Sequence, residues 1–520
     1  MTGTRERSFV EMARREKLAA LQATGILPFA YRFDRSHLAA GALALYRDEH
    51  ADHGPEVRIA GRIESWRPKG KVVFGHVEDG SGRIQVYFRA DELGEGWRLV
   101  ELLDLDDYIG VHGRLMRTRA GEVTVRAAEV TLLAKSVRPL PRGKREVLDD
   151  GSVKSHGGLH DPEIRYRQRY ADLAVHPEVR DHFRIRSRVV SWLRRFLDDR
   201  GFLEVETPIL QPLYGGATAR PFVTHHHSLD LPLYLRIADE LYLKRLLVGG
   251  FERVYEIGHD FRNEGMDRTH NPEFSMLECY QAYADYRDML QLTQDMVAGA
   301  VAHGCGQLTL ERGKATLNFM PPWREVRFLE AVQQQAGLDL RTASEGEQRA
   351  VLLARGEDAD AVRALSGGRL MDEVFKVFVE PTLQQPTFVV DYPKPLSPLA
   401  KEHRSDPFLT ERFELFVLGK ELANAFSELN DPDDQRRRFE DQARLKAGGD
   451  EEAQPLDEDY VRALEYGMPP AGGLGLGVDR LVMLITGQSH IRDVILFPAM
   501  RPEEGGSPEG RTHGEKATDA

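Results

Sequence analysis

The stretch FRNEG at residues 261–265, followed by HNPEF at residues 270–274, says most about the architecture of this chain. An arginine at the end of a strand and beside a loop is suited to holding a phosphate, because its planar guanidinium supplies paired hydrogen-bond donors. Phe274 would then be placed to stack on a flat ring such as adenine. Arg262 alone is equally compatible with an ordinary polar hairpin, so the prediction depends on other segments.

A second segment, GGLGLGVDRL at residues 472–481, combines glycines with an arginine. Glycines let a backbone come close to a ligand, and Arg480 is expected to begin a helix. The segment resembles a dinucleotide-binding glycine motif only superficially, because no early Rossmann strand precedes it and the chain has no P-loop lysine. Alone it is a weak signal.

Glu414 and Glu421 are a pair of carboxylates that two strands, residues 413–416 and 422–426, would bring into one cleft. Two carboxylates facing a triphosphate would repel it unless a hard cation such as Mg2+ lay between them. A solvated acidic sheet edge is the alternative, and it is favoured if the other clusters are ignored.

Two further clusters bear on ligand chemistry. In Glu278-Cys279-Tyr280, strand alternation places Glu278 and Tyr280 on one face. A buried carboxylate beside a phenol needs a donor, which a substrate ammonium or an internal arginine would supply equally well. The triple His225-His226-His227 is predicted to be a polar loop and not a zinc site, because adjacent histidines in a strand point to opposite faces.

The region before residue 140 has a different periodicity. Apolar residues alternate in five segments, at about 57–63, 72–77, 84–88, 108–116 and 122–133, and a helix is predicted over 90–103. Five strands with a helix between the third and fourth match an OB-fold barrel, which binds oligonucleotides on its strand 2–3 face. An α+β fold is therefore expected.

The other boundaries follow from composition and periodicity. Residues 1–52 are expected to be an N-terminal helical segment, 53–140 the barrel, 141–160 a hinge, and 161–500 a second domain with a helical insertion at about 320–380. An amphipathic helix is predicted from about His176 to Arg200, and a strand over 202–208. Residues 501–520 are rich in Gly, Glu, Ser, Pro and Thr, and are predicted to be disordered.

Overall composition excludes several classes. The chain has 520 residues, 41% of them hydrophobic and 29% charged, as in soluble globular proteins. No apolar run of about 18 residues or secretory signal is found, and two cysteines provide neither a disulfide framework nor a thiolate zinc site. A cytoplasmic location is expected. The net charge of −13 argues mildly against a nucleic-acid partner, which would need locally basic surface.

Taken in order, these segments resemble the class II aminoacyl-tRNA synthetases, in particular the bacterial-type lysyl enzymes. The helix from about His176 with Phe202–Pro208 is similar to motif 1, which makes the dimer interface in that family. Residues 261–264 with 270–274 resemble motif 2, and Gly475–Arg480 resembles motif 3. The resemblance runs from the barrel to Pro498. It implies a catalytic domain with an antiparallel sheet flanked by helices, and a homodimer.

The resemblance also implies a reaction and a set of site residues. The reaction is ATP-dependent activation of L-lysine to lysyl-adenylate, followed by transfer to the 3′-terminal adenosine of tRNA(Lys). Arg262 and Arg480 would be catalytic, and Glu414 and Glu421 would hold Mg2+. ATP would be bound by Arg262, Glu264, His270, Asn271, Phe274, Gly477 and Arg480, and lysine by Gly216, Glu240, Glu278, Tyr280, Asn424 and Glu428.

The specificity for lysine has a physical argument beside the resemblance. A remote ammonium needs a negative end to its pocket, for which Glu278, Tyr280 and Glu428 are of the right type, whereas an aspartate pocket would need cationic groups. The anticodon contacts implied in the barrel are Phe74, Gln85, Arg67 and Glu122, where Phe74 as core and Gln85 as plain surface is the alternative.

Two positions depart from the family pattern, and several other functions remain open. His259 stands where family members often carry arginine, and Cys279 where an aliphatic residue is usual. An aspartyl- or asparaginyl-tRNA ligase, a lysine ligase acting on a protein, and a regulatory nucleic-acid-binding protein with an inactive catalytic fold are the alternatives. Side production of dinucleoside polyphosphates is a further activity that an adenylate allows.

Overall fold

The computed structural model describes residues 8–50, 53–147, 153–156, 158–447 and 454–502. The chain divides into two compact units, Met1–His160 and Asp161–Ala520. The first contains a closed five-stranded barrel and the second a large mixed sheet, so the predicted α+β class is confirmed. Of the tail expected to be disordered, residues 503–520 lie outside the described residues.

The first unit carries the barrel and two N-terminal helices. Its helices are α1 (Phe9–Ala23), α2 (Ala39–Leu45), α3 (Ala90–Leu93) and α4 (Trp97–Leu102), and its strands are β1 (Glu56–Lys69), β2 (Val72–Asp79), β3 (Gly82–Arg89), β4 (Tyr108–Arg117), β5 (Val123–Ala134), β6 (Lys144–Val147) and β7 (Val153–His156). Strands β1 to β5 form the barrel in the order β1-β2-β3-β5-β4.

The barrel follows from the alternation in the sequence. Inward residues such as Val73, Val86 and Val125 form its buried core, and the residues between them face outward. The predicted single helix over 90–103 is wrong in one respect, because a short 3-10 turn at Gly94–Gly96 separates α3 from α4. Gly94 has φ +54°, which ends α3. The interval expected to be a hinge contains the paired strands β6 and β7.

The second unit contains twelve α-helices and fourteen strands among its described residues. The helices are α5 (Pro162–Arg167), α6 (Arg169–Val175), α7 (Pro177–Asp198), α8 (Glu240–Val248), α9 (Tyr286–Cys305), α10 (Phe328–Ala336), α11 (Glu345–Arg355), α12 (Ala359–Ala364), α13 (Gly367–Phe378), α14 (Pro432–Ala447), α15 (Glu458–Glu465) and α16 (Val478–Thr486). The strands are β8 (Leu203–Glu204), β9 (Leu210–Gln211), β10 (Val223–His226), β11 (Leu231–Leu235), β12 (Arg253–Phe261), β13 (Glu273–Ala282), β14 (Thr309–Arg312), β15 (Ala315–Asn318), β16 (Arg324–Arg327), β17 (Thr387–Pro393), β18 (Glu402–His403), β19 (Asp406–Val417), β20 (Lys420–Ser427) and β21 (Ala471–Gly477).

The main sheet has the order β16-β17-β19-β20-β21-β13-β12-β8. Its six central strands are antiparallel, as predicted, whereas the edge strands β16 and β8 pair in parallel. Apolar residues of one face pack under α7, α9 and α16, and include Leu277, Cys279 and Leu474. Residues that alternate with them, such as Glu278 and Tyr280, face the opposite side. This second face carries the polar residues of the site.

Two predicted elements of this unit differ in detail. The helix expected at about 176–200 is confirmed as α7, which begins at Pro177, where proline is favoured, and is followed by Gly201 with φ +76°. The strand expected over 202–208 is reduced to β8, because the carboxylate of Glu256 accepts the N–H of Thr207 at 3.0 Å. Helices α10 to α13 lie between β16 and β17 and share a hydrophobic cluster of their own.

The histidine triple is not a loop throughout, contrary to the prediction. His225 and His226 end β10 and pair with Pro232 and Leu231 of β11. All three histidines are exposed, and Nε2 of His225 lies 3.1 Å from a carboxylate oxygen of Asp230.

Candidate functional site

A cavity of about 340 Å³ opens on the polar face of the main sheet, over β13, β20 and β21. It brings together most of the predicted ligand-binding residues of the second unit. Those that line it are Gly216, Glu240, Arg262, Glu264, His270, Asn271, Phe274, Glu278, Tyr280, Glu421, Asn424, Gly477 and Arg480. Glu414 and Glu428 are not among the lining residues, and both are buried or nearly so.

One end of the cavity carries two arginines. Arg262 follows β12, and its guanidinium lies 5.0 Å from the centre of the Phe274 ring. Within the described residues, no carboxylate lies within 4.0 Å of the Arg262 guanidinium. Arg480, in the first turn of α16, donates to the main-chain oxygen of Glu421 at 2.8 Å. The Arg262 guanidinium therefore remains available for an anion.

His270 and Asn271 form the polar rim beside these arginines. Nδ1 of His270 lies 2.8 Å from the Asp267 carboxylate, so Nδ1 carries the proton and Nε2 accepts from Arg480 at 3.3 Å. Burial opposes ionisation of Asp267, but bonds from Thr269 and His270 outweigh it and lower the pKa of Asp267. Oδ1 of Asn271 is buried and has no hydrogen-bond partner among the described residues, which leaves an acceptor for a ligand.

The two candidate metal ligands lie in the neighbouring strands β19 and β20, as predicted. Oε1 of Glu414 accepts from Arg412 at 2.5 Å, and Oε2 accepts from the Tyr392 hydroxyl at 2.9 Å. Burial, opposed by Arg412 and reinforced by the charge of Glu421, raises the pKa of Glu414 to about 7. The residues that the structure describes contain no group of three His, Cys, Asp or Glu side chains arranged to hold a metal ion.

Arg412 is a site residue that the sequence reasoning missed. Nε donates to Oδ1 of Asn424 at 2.9 Å, Nη1 to the carbonyl of Leu396 at 2.7 Å, and Nη2 to Glu414. Because Oδ1 of Asn424 faces Arg412, its amide nitrogen points away from Arg412. This nitrogen can donate a hydrogen bond to a ligand in the cavity. The signal was present in the alternation of Arg412 with Glu414 on one strand.

The other end of the cavity is acidic. Glu278 accepts from the Tyr280 hydroxyl at 2.9 Å, and within the described residues no cationic side chain lies within 4.0 Å of its carboxylate. Burial and the nearby charges of Asp260 and Glu240 raise the pKa of Glu278 to about 8. Glu278 is thus a buried acid whose ionised form lacks a counter-ion. Cys279 points into the hydrophobic core on the opposite face, as the alternation predicted.

Glu240 and Glu428 do have a counter-ion, Lys244, which the sequence reasoning also missed. The ammonium of Lys244 is fully buried and forms ion pairs with both carboxylates. Burial alone would lower the pKa of Lys244, but Glu240 and Glu428 raise it. The carboxylate of Glu428 does not line the cavity but lies directly behind Gly473, which does, so the prediction that Glu428 binds lysine stays a prediction. The i,i+4 spacing of Glu240 and Lys244 on α8 was the available signal.

A buried charged group lies next to this end. Arg236 is 1% exposed and pairs with Asp239 at 2.7 Å and with Glu256 at 2.6 Å. Burial and the charge of Asp260 raise the pKa of Asp239 to about 10. His259, which departs from the family pattern, is exposed.

The barrel of the first unit has its own candidate site on the outward face of β1, β2 and β3. Phe74 is half-buried, and its ring lies 4.6 Å from that of Tyr87. Arg67 is the cross-strand partner of Phe74. Gln85, expected to be available to a base, is only 5% exposed and donates to Glu122 at 2.6 Å.

The polar residues of this barrel face form a continuous network. Oγ of Thr124 donates to Oε1 of Gln85 at 2.9 Å, and Glu122 also contacts Nε2 of His76 at 2.8 Å. Nδ1 of His76 lies 2.7 Å from the Ser65 hydroxyl. Gln85 and Glu122 are therefore held in defined orientations beside the Phe74 ring.

Comparison with known proteins identifies both units. Residues 161–501 match the family described as tRNA synthetases class II (D, K and N), and residues 57–133 match the OB-fold nucleic acid binding domain. The chain is 52% identical over 495 residues to the lysine–tRNA ligase of Pelotomaculum thermopropionicum, covering 94% of each chain. It is 51% identical over 492 residues to that of Carboxydothermus hydrogenoformans, covering 94% of this chain and 98% of the relative.

A third relative, the lysine–tRNA ligase of Roseiflexus castenholzii, is 50% identical over 499 residues, covering 95% of this chain and 99% of the relative. The similarity thus extends over both units and not over a single motif. The chain belongs to the class II tRNA synthetase family of the D, K and N enzymes, and within it to the lysine–tRNA ligases.

Proposed function

We propose that this protein activates L-lysine with ATP and transfers it to the 3′-terminal adenosine of tRNA(Lys). The observation that carries the proposal is a single cavity that, within the described part of the chain, has an arginine with no carboxylate within 4.0 Å at one end, and a buried carboxylate without a counter-ion at the other. The arginine suits a phosphate and the carboxylate suits the ammonium of a lysine side chain. No side chain is needed as a nucleophile, because the lysine carboxylate attacks the α-phosphorus and pyrophosphate leaves.

The nucleotide is assigned to the arginine end. Arg262 would bind the α-phosphate and Arg480 the γ-phosphate, so that both stabilise charge on the reacting groups. Phe274 would stack on adenine, on the ring side not covered by Arg262, and Asn271 offers an unpaired acceptor. Glu264, His270 and Gly477, which also line the cavity, would place the remainder of the nucleotide.

The donor set fits a magnesium ion at Glu414 and Glu421. The raised pKa of Glu414 reflects in part the charge of Glu421, and a divalent cation would relieve this repulsion. Two carboxylates suffice, since Mg2+ is commonly held by one or two carboxylates together with substrate phosphates and water. When bound, the ion supplies neutralisation of phosphate charge. Arg412 and Tyr392 keep Glu414 in place meanwhile.

The amino acid is assigned to the acidic end. Glu278 and the Tyr280 hydroxyl would receive the side-chain ammonium, with Glu428 close behind. Glu240 and Gly216 would contact the α-amino group. Gly216 has φ +88°, and a Cβ there would meet Ala238 and Glu240 at about 3 Å, so the close approach requires glycine. Asn424 would donate its amide N–H to the lysine carboxylate.

We assign tRNA recognition to the barrel, residues 53–140, and catalysis to residues 161–500. Phe74 would stack on an anticodon base, while Gln85, Glu122 and Arg67 would contact base edges and backbone.

We further propose a homodimer in the cytoplasm, formed through the segment that includes α7. Exposed Leu203, Ile209, Leu210 and Leu213 follow that helix and support an interface there. None of the described helices is long and apolar enough to cross a membrane.

The test is ATP–pyrophosphate exchange with each of the twenty amino acids. We expect exchange with lysine only, and not with aspartate or asparagine. Arg262→Ala should reduce lysine-dependent exchange at least about a hundredfold, because removal of one such charge contact costs roughly 3 kcal/mol. Its circular dichroism and melting temperature should remain those of the wild type. Exchange near the wild-type rate in this variant would refute the assignment.

A further inference from the structure

Lys244 occupies an unusual position for a lysine, at the buried end of an acidic pocket. Its ammonium is fully buried and lies between Glu240 of α8 and Glu428, which follows β20. The Phe426 ring, 5.3 Å from the ammonium, covers another side. Its partners come from two separate elements, so Lys244 ties one to the other.

The ion pairs use one oxygen of each carboxylate. Lys244 contacts Oε1 of Glu240 and Oε2 of Glu428. Oε1 of Glu428 is buried and has no hydrogen-bond partner among the described residues. It lies directly behind the cavity wall, since a Cβ built on Gly473, a lining residue, would be 2.0 Å from it. Glu240 itself lines the cavity, and Oε1 of Glu428 is the atom nearest to the position of a Cβ on Gly473.

Three carboxylates therefore surround this end of the pocket, namely Glu240, Glu278 and Glu428, and Lys244 supplies one positive charge. A ligand with two ammonium groups would neutralise the two negative charges that remain. Glu240 is assigned to the α-amino group, and Glu278 with Glu428 to the ammonium at the far end of the side chain. The distance between these two binding places is the length that the ligand must match.

We propose that Lys244 is a positioning residue that fixes the separation of Glu240 and Glu428, and thereby makes the pocket select a diamino acid of the length of lysine. The inference rests on the proposed function. Without the bridging ammonium the two carboxylates repel each other, and each is free to rotate or take up a proton. A pocket with movable carboxylates accommodates a shorter diamino acid almost as well as lysine.

The experiment compares lysine with ornithine, which lacks one methylene, in pyrophosphate exchange. The wild type should prefer lysine by about tenfold to two-hundredfold in kcat/KM, the usual value of one methylene. In Lys244→Met we expect the KM for lysine to rise at least about tenfold and the lysine-to-ornithine ratio to fall at least about fivefold. The KM for ATP should change less than about twofold, because the ATP end is untouched.

A matched control is Lys135→Met in the barrel. Lys135 is likewise buried and bridges two carboxylates, at 2.6 Å to Asp104 and 2.7 Å to Asp107, but lies in the other unit. Both variants should be less stable than the wild type, but Lys135→Met should keep the wild-type lysine-to-ornithine ratio of kcat/KM. If Lys244→Met does not fold, Lys244→Arg retains the charge with a different length, and its ratio should also fall.

An unchanged ratio in a folded Lys244 variant, or an equal fall for both amino acids, would overturn the inference. These outcomes differ from a failure of the proposed function, which would appear as absence of lysine-dependent exchange in the wild type.

Discussion

In the free protein the ionised form of Glu278 is unfavourable, because its carboxylate is buried and lacks a counter-ion in the described part of the chain, and a bound ammonium group would stabilise it. Its carboxylate is buried, bonded to Tyr280 and without a counter-ion among the described residues, and its pKa is raised to about 8. Glu278→Gln keeps the shape and the acceptor for Tyr280 but removes the charge. We expect the KM for lysine to rise about tenfold to a hundredfold, as expected for loss of a charged hydrogen bond, with little change in the KM for ATP. Steady-state exchange kinetics measure both.

Glu278→Gln should also change the pH dependence of stability and of lysine binding, and in opposite directions. Between about pH 4.5 and pH 8 the folded protein keeps a proton on Glu278 that the unfolded chain has lost, so this residue lowers stability as pH rises. Glu278→Gln should therefore melt above the wild type at pH 8. Conversely, wild-type KM for lysine should fall as pH rises from 6 to 8 and then level off, while the variant shows no such trend. A variant less stable than wild type at pH 8 would contradict this account.

Residue types and strand alternation predicted much of this site. Alternation placed Glu278 and Tyr280 together and Cys279 on the other face, because a strand repeats every two residues. It did not reveal that Lys244 neutralises Glu240 and Glu428. The pair with Glu240 had a local signal in its i,i+4 spacing, but the pair with Glu428 joins residues nearly two hundred positions apart, which no local pattern encodes. Arg412 alternates with Glu414 on β19, but its bonds to Asn424 and Leu396 depend on how neighbouring segments pack, and its role was therefore missed.

At the scale of the element, β21 shows why a glycine-rich strand suits this pocket. Gly473, Gly475 and Gly477 line the cavity on one face, between strands that carry larger side chains. The sequence indicated that these glycines admit a ligand. At Gly473 the space is used instead by the protein itself, because Glu428 and the Tyr280 ring occupy the place of a side chain.

Gly473→Ala should disturb the lysine end of the cavity. A Cβ would lie 2.0 Å from Oε1 of Glu428 and 2.5 Å from Cε1 of Tyr280, so both side chains must move. We expect a loss of about 1–3 kcal/mol in the free energy of unfolding, as in other overpacked sites, and a marked rise in the KM for lysine. Chemical denaturation and exchange kinetics measure these effects.

Gly477→Ala is the matched control on the same strand. Its Cβ would meet nothing closer than 3.7 Å, which is ordinary contact. Its stability and its KM for lysine should stay near those of the wild type. If both alanine variants behave alike, the absence of a side chain at Gly473 is not needed for the positions of Glu428 and Tyr280 or for lysine binding.

The bounds of helices and strands were predicted most accurately where residues that begin and end such elements stand at both ends. Helix α7 has Pro177 at its start and Gly201 beyond its end, and its predicted extent differs from the observed one by only a few residues. The strand over 202–208 was predicted too long because Glu256, about fifty residues away, takes the N–H of Thr207. The strand pairing of β12 with β13 follows from their proximity in sequence, whereas the pairing of β8 with β12 does not.

At the scale of the whole molecule, an acidic chain is proposed to bind a polyanion. The net charge of −13 is not informative here, because recognition is assigned to a small aromatic and polar surface on one unit. The barrel was predictable from five alternating segments, and its closure follows from the pairing of β3 with β5. The burial of Gln85 under Glu122 was not predictable, since it depends on the pairing of β3 with β5, which β4 separates in the sequence.

The division into two units predicts that tRNA recognition and amino acid activation can be impaired separately. Phe74→Ala removes the proposed stacking surface, and base–aromatic stacking contributes about 1–3 kcal/mol per base. The KM for tRNA in aminoacylation should therefore rise about fivefold to a hundredfold, while lysine-dependent pyrophosphate exchange without tRNA stays at the wild-type rate. Tyr108→Ala is the control, because Tyr108 is a partly exposed aromatic residue on β4 that stacks with Arg62 and lies outside the proposed surface. It should change neither step. Equal damage to both steps by Phe74→Ala would mean that this residue supports the fold of the barrel and not the binding of a base.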